Sequence, residues 1–303
     1  MRIVSLLPSA TELLFAIGAG DEVVAVTHEC DHPPAARALP AVTANVLDHQ
    51  AQPSAVIDRH IHRARHDGSS IYALDLPALE ALRPDLIVTQ ELCDVCAVAY
   101  RDVAAAVRRL PGSVDVLSLE PGTLADIVAT ATTLGEVTEH QREAAALAAS
   151  MSERIAAVAS SPRPRPEPVT VCVEWTDPIM AGGHWVPEMV RISGGRDPLG
   201  LAGEPSRYVE WDTVREAHPD VMVLMPCGFG LDRTIELAPE ITARPGFGEL
   251  PCARSGRVAA VDGSAFFNRP GPRIVDGLEL MAVVLRAEPG SPLPRGAAWV
   301  TVG

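Results

Sequence analysis

Between Thr138 and Ala159 the chain carries no glycine and no proline, and alanine is its commonest residue. Leu147, Met151, Ile155 and Val158 recur at spacings of three and four, which lays one apolar stripe along a helix. Intrinsic propensity agrees with that pattern. Thr138, with Gln141 three residues on, predicts a capping box at the start. The expected helix is roughly 33 Å long at 1.5 Å per residue, about the width of a small domain. A proline-rich stretch, Ser160 to Pro168, follows it. One run of strand and helix signals precedes the helix and a second follows the break. We therefore expect two α/β lobes, residues 1–137 and 161–303, joined by residues 138–160 as a strut.

In the first lobe Arg2–Leu7, Glu22–Thr27, Asp85–Thr89 and Val114–Ser118 read as strands, and Val42 begins a short one. Ser9–Gly18 reads as a helix capped by Ser9, with Glu12 at the third position and Gly18 at its end. Further helices are expected over Ser54–His66, Leu76–Leu82, Tyr100–Leu110 and Leu124–Leu134. In the second lobe Val169–Val173, Asp220–Met225 and Val258–Val261 read as strands. Trp185–Ser193, stopped by Gly194 and Gly195, Trp211–Ala217 and Ile274–Arg286 read as helices, and the tail after Ala287 as an exposed end. Strands alternating with helices in two blocks imply two parallel-rich sheets.

A net charge of −14 argues against nucleic acid and an anionic membrane surface as partners. The first apolar run is broken by Pro8, is shorter than the apolar region of a signal peptide and reads as a strand. No stretch is long enough to span a bilayer. A cytoplasmic protein is the expectation that follows. Its six cysteines should then be thiols, metal ligands or redox groups rather than structural disulfides.

The residues able to do chemistry gather after strands. His28-Glu29-Cys30, Cys93 with Cys96, Glu174-Trp175 and Cys227 each follow an apolar run. Ligands of open α/β sheets sit outside the carboxyl ends of the strands, so two lobes would line one shared cleft with these segments. Cys93-x-x-Cys96 has the spacing of a zinc, iron–sulfur or redox pair, although two small buried residues would look the same. Cys30 and Cys227 would complete a thiolate cluster. His62 and His66 share a helix face, most simply a solvated one, and Cys172 and Cys252 read as packing residues. Aromatic residues are only 4% of the chain, yet Trp175, Trp185, Phe229, Phe266 and Phe267 occupy strand ends or glycine-flanked stretches, close to His184 and Arg269. Flat rings beside polar groups suit a large planar ligand. No P-loop, GxGxxG, GxSxG elbow or HExxH occurs.

The stretches RIVSLLPSATELLFAIGAGDEVVAVTHECDHPPAA, LEALRPDLIV, IMAGGHWVPEMVRISGGRDPLG and AFFNRPGPRIVDGLELMA, with the long helix, resemble the helical-backbone (class III) periplasmic-binding-protein family, and within it the vitamin B12-binding branch. The resemblance covers nearly the whole chain. It implies two α/β lobes joined by one backbone helix and a corrinoid-like ligand held between aromatic and polar loops. Transport members dock on a permease through one acidic residue per lobe. Here the equivalent places hold Pro77 and Asp212, which speaks against that docking. TQELCDVCA, HEC and MPCGFG are additions, so the chain looks like a cytoplasmic cobalamin-binding offshoot.

Two functions follow as expectations. One is a cytosolic protein binding cobalamin or another metal chelate through Ser9, His28, Glu29, Trp175, His184, Trp185, Phe229, Phe266, Phe267 and Arg269. The other is an enzyme in which Cys30, Cys93, Cys96 and Cys227 hold zinc or an iron–sulfur cluster and Glu174 or Glu91 is the general base.

Overall fold

The structure, a computed structural model, describes residues 1–46, 52–67, 72–90, 107 and 113–301. Glu91, Cys93 and Cys96 lie outside the described residues, as does the helix expected over Tyr100–Leu110 apart from Val107. The chain divides into two compact units. Met1–Gln52, Arg59–Pro121 and Ala125–Met151 form the first; Pro53–Asp58, Gly122–Leu124 and Ser152–Gly303 form the second.

The first unit opens with β1 (Ile3–Ser5), α1 (Pro8–Ala16) and β2 (Val23–Val26), then β3 (Thr43–Asn45), α2 (Ser54–Asp67, whose residues up to Asp58 count with the second unit), β4 (Tyr72–Leu74), α3 (Leu76–Leu82), β5 (Leu86–Thr89) and β6 (Asp115–Ser118). Its main sheet is wholly parallel in the order β2-β1-β5-β6, and β3 pairs with β4 in a separate antiparallel ribbon. Neighbouring strand residues join opposite clusters. Ile3 and Val88 pack with Leu13 and Leu14 of α1, whereas Val4 and Ile87 pack with Val42 and Leu79. Both faces are thus covered, which is why these strands read as continuous apolar runs rather than alternating ones.

Two expected caps are corrected. Leu7, not Ser9, is the N-cap of α1, with Pro8 in the first turn, where its missing N–H costs nothing. Thr138 does not start the long helix. Its hydroxyl donates back to Leu134 O at 2.7 Å, finishing α4 (Leu124–Val137). Glu139 takes a left-handed φ of 63°, and α5 (Gln141–Ser160) begins after that turn. The tight α4–α5 corner depends on Gly135, where a Cβ would lie 2.3 Å from Ala144 Cβ. From α5 the chain passes into the second unit, and Arg154 there donates to Glu279 at 2.7 Å and to Asp276.

The second unit contains β7 (Thr170–Thr176), β8 (Ile179–Ala181), α6 (Val186–Ser193), β9 (Arg207–Tyr208), α7 (Trp211–Glu216), β10 (Val221–Leu224), α8 (Leu231–Leu237), β11 (Val258–Val261), α9 (Ile274–Arg286) and β12 (Ala297–Trp299). Its six-stranded sheet runs β12-β11-β10-β7-β8-β9. β7, β10 and β11 are parallel; the other pairings are antiparallel. The tail after Ala287 is therefore not a free end. It returns as an edge strand, with Ala297 opposite Val261. α6 packs on α9, whose Ile274, Val275, Leu278, Met281, Val284 and Leu285 are buried.

Candidate functional site

In the first unit β2 delivers the chain into Thr27–Cys30. The His28 ring is held from several sides: Nδ1 lies 2.7 Å from Thr43 Oγ1, Nε2 lies 3.3 Å from Glu29 Oε1, and the ring tilts against Tyr72 at 5.4 Å. Asn45 Nδ2 donates to the same Glu29 oxygen at 3.4 Å. Burial works against a charged imidazole here, but the Glu29 carboxylate together with hydrogen bonding to Asn45 and the Thr43 backbone outweighs it, and the His28 pKa lies above its ordinary value. His28 and Glu29 form one polar unit, braced by the β3–β4 ribbon. Cys30 turns the other way. It is 5% exposed in the α1 core, its Sγ 3.1 Å from Thr11 Oγ1. Ser9 is likewise buried, inside the first turn of α1.

In the second unit β7 runs further than the apolar pattern suggests, because Trp175 and Thr176 pair with Met180 and Ile179 of β8. Glu174 and Trp175 thus lie within the strand rather than after it. The register slips between Val173 and Trp175, and this bulge re-aims the Glu174 side chain, which accepts a short hydrogen bond from Ser206 Oγ. Trp175 stacks on Phe229 with centroids 5.8 Å apart, and its indole N–H is buried with no hydrogen-bond partner among the described residues. Trp185 spends its indole N–H on Phe267 O at 2.7 Å.

After β8 the chain turns through Gly182, Gly183 and His184. Gly183 lies so close to the 205–206 backbone that a Cβ would come within 2.2 Å of Ser206 N. His184 adopts a left-handed φ of 50°, its N–H donating to Glu204 O at 2.6 Å and its carbonyl accepting from Gly203 N at 2.8 Å. Burial lowers the pKa of the half-exposed His184 imidazole and so favours its neutral form. Asp197 accepts from Leu199 N and Gly200 N at 2.8 and 2.9 Å while burial pushes its carboxyl up.

Several sequence-based assignments change on this geometry. Phe267 is 0% and Phe229 1% exposed, so both complete the core rather than form a platform for a ligand. Phe266 is packed beneath Gly296, where a Cβ would meet its ring at 2.4 Å. Arg269 is partly exposed on the same loop. Of the four cysteines expected to form a thiolate cluster, Cys30 is buried in the first unit, Cys227 lies in the second, and Cys93 and Cys96 lie outside the described residues; no group of three or more His, Cys, Asp or Glu among the described residues could hold a metal ion. The Glu174 carboxylate, the candidate general base among the described residues, is engaged by Ser206. Cys172 and Cys252 are core residues as expected, burial raising both thiols, that of Cys252 to about 12. Pro77 sits in the first turn of α3, and Asp212 is an exposed carboxylate in the first turn of α7, 3.2 Å from Arg215. Ser206, Thr43 and Asp197 were missed, since nothing in their local sequence marks a partner that only folding supplies.

The sequence profile of the family described as Periplasmic binding protein matches residues 3–265. The cobalamin-binding protein of Halobacterium salinarum (strain ATCC 29341 / DSM 671 / R1) is 26% identical, over 93% of this chain and 68% of its own length. The periplasmic vitamin B12 binding protein BtuF of Vibrio cholerae shares the fold at a TM-score of 0.66 and 21% identity, covering 94% of this chain and 96% of that one. The periplasmic heme-binding protein BhuT, in complex with two hemes, shares it at 0.70 and 21%, covering 94% and 97%. The expected cytoplasmic address is overturned by the family match. The short apolar run that suggested it is β1 of the core sheet, a feature of the fold that carries no information about destination. No helix among the described residues is long and apolar enough to cross a membrane. Matched through both units, the chain belongs to the periplasmic binding protein family.

Proposed function

We propose that this protein is the periplasmic binding component of an uptake system and that its ligand is a cobalamin or a closely related metal-bearing tetrapyrrole. The observation that carries the reading is the extent of the likeness: a relative named for cobalamin aligns over 93% of the chain, through both units rather than one. A fold alone hosts many ligands, so the polar groups matter as well. Each unit presents a small polar set near the ends of its strands, His28 with Glu29 in the first and Glu174, Ser206 and His184 in the second. Such sets suit the amide arms of a corrinoid, whose N–H groups can donate to the glutamates, with the macrocycle covering apolar surface.

The test is titration of the purified protein with cyanocobalamin, aquocobalamin and hemin, followed by calorimetry and by quenching of tryptophan fluorescence. A dissociation constant of about 1 μM or tighter, worth roughly 8 kcal/mol, is the expected result for a corrinoid. A protein that binds neither corrinoid refutes the cobalamin reading, and tight binding of hemin alone moves the ligand class to heme.

A further inference from the structure

The GGH turn of the second unit is built more carefully than a connection between β8 and α6 requires. We propose that His184 is the axial ligand to the metal of the bound macrocycle, so that the protein selects chelates whose metal has an exchangeable axial position; this rests on the tetrapyrrole reading above. Backbone on both sides fixes the residue. His184 N–H and C=O pair with Glu204 and Gly203, Gly183 is pressed against Ser206, and Trp185 is tied to Phe267 O. The left-handed backbone, unusual for a residue with a side chain, is held in place by those contacts.

The side chain uses none of this support for itself. Its ring lies 5.5 Å from that of Trp185, and its nitrogens make no hydrogen bond or ion pair among the described residues. It remains partly open to solvent. A rigidly presented, neutral and otherwise unengaged imidazole is a good nitrogen donor for cobalt or iron. A single imidazole could not build a metal site from nothing, and no cluster of further ligands lies among the described residues. It is sufficient where the macrocycle already fills the equatorial positions. The step is a ligand exchange: the bond from cobalt to its axial water breaks, water leaves, and a lone pair of the imidazole forms the new bond. The cobalt keeps its oxidation state and no proton has to move.

The experiment compares aquocobalamin, whose axial water exchanges, with cyanocobalamin, whose cyanide does not, on wild-type protein and on His184→Asn and His184→Gly. Both replacements tolerate the left-handed backbone, and thermal melts confirm that they fold. The wild type should shift the visible bands of aquocobalamin towards those of its imidazole adduct and bind it at least tenfold more tightly than cyanocobalamin. The variants should lose the band shift, and the affinity ratio should fall to near one. Wild type that binds both corrinoids equally with no band shift overturns the axial role and leaves the tetrapyrrole reading standing. Wild type that binds neither corrinoid overturns the axial role at cobalt together with the cobalamin reading, and hemin binding then decides whether the tetrapyrrole class survives.

Discussion

Gly135 is the position at which a normally stabilising substitution should do harm. Replacing a helical glycine by alanine gains up to about 1 kcal/mol of helix propensity. At Gly135 the new Cβ would lie 2.3 Å from Ala144 Cβ, 3.1 Å from His140 O and 3.4 Å from Gln141 Cα. Carbon atoms pack at about 3.5–4.0 Å, so the first contact is more than about 1 Å too short. The other two neighbours are backbone, and Ala144 is fully buried, so relief requires α5 to move away from α4. Overpacking of this kind costs about 1–3 kcal/mol, which outweighs the propensity gain. Gly135→Ala should therefore lower stability by about 1–2 kcal/mol and Tm by about 2–8 °C. Urea and thermal unfolding followed by circular dichroism measure it. Pairing the change with Ala144→Gly removes the overlapping atom, so although a glycine inside α5 itself costs about 1 kcal/mol, the pair should cost less than the sum of the two single changes, a coupling a double-mutant cycle reads directly. A single variant as stable as wild type, or a pair that behaves additively, would refute the close-approach argument.

Phe267→Ala should open a cavity in the second unit and cost about 3–5 kcal/mol, so the melting temperature falls; a loss of ligand affinity with the melt unchanged would place the ring in the site instead. Arg154→Ala releases Glu279 and Asp276 of α9, but the three side chains are 39 to 45% exposed, so the cost should be no more than about 1 kcal/mol and should shrink in high salt, as denaturation at two ionic strengths will tell. His28 has a folded pKa above the unfolded 6.5, so the stability it contributes is fully present below 6.5 and disappears as pH rises through the folded value. NMR titration should find its pKa raised, and Glu29→Gln should bring it down; a His28 pKa at or below 6.5 in the wild type contradicts the Glu29 pairing.

Much of the architecture could be read from residue order alone. The helix Ile274–Arg286 and the helix Leu76–Leu82 fall where their apolar spacing places them, because each buries a continuous stripe that local sequence must supply. Errors gather where a long-range partner decides. Ser9 and Thr138 carry good capping side chains, yet one is buried inside α1 and the other returns its hydroxyl to Leu134. β7 outlasts its apolar run because β8 pairs with its end, and the tail becomes β12 because β11 offers an open edge. No local pattern encodes a hydrogen bond to a strand far along the chain.

The candidate site divides the same way. Sequence by itself determined that the family is one of two α/β units linked by a long helix, and that polar residues leave β2 at His28 and Glu29, because residue type and spacing are properties of neighbours in the chain. Only the tertiary structure decided what those residues can still do: Glu174 meets Ser206, Cys30 is absorbed by the α1 core, Phe229 and Phe267 are enclosed, and His184 is clamped by backbone with its ring unengaged. Burial and hydrogen-bond partnership are set by groups distant in sequence, and those two quantities determine whether a side chain is spent on the fold or left for a ligand.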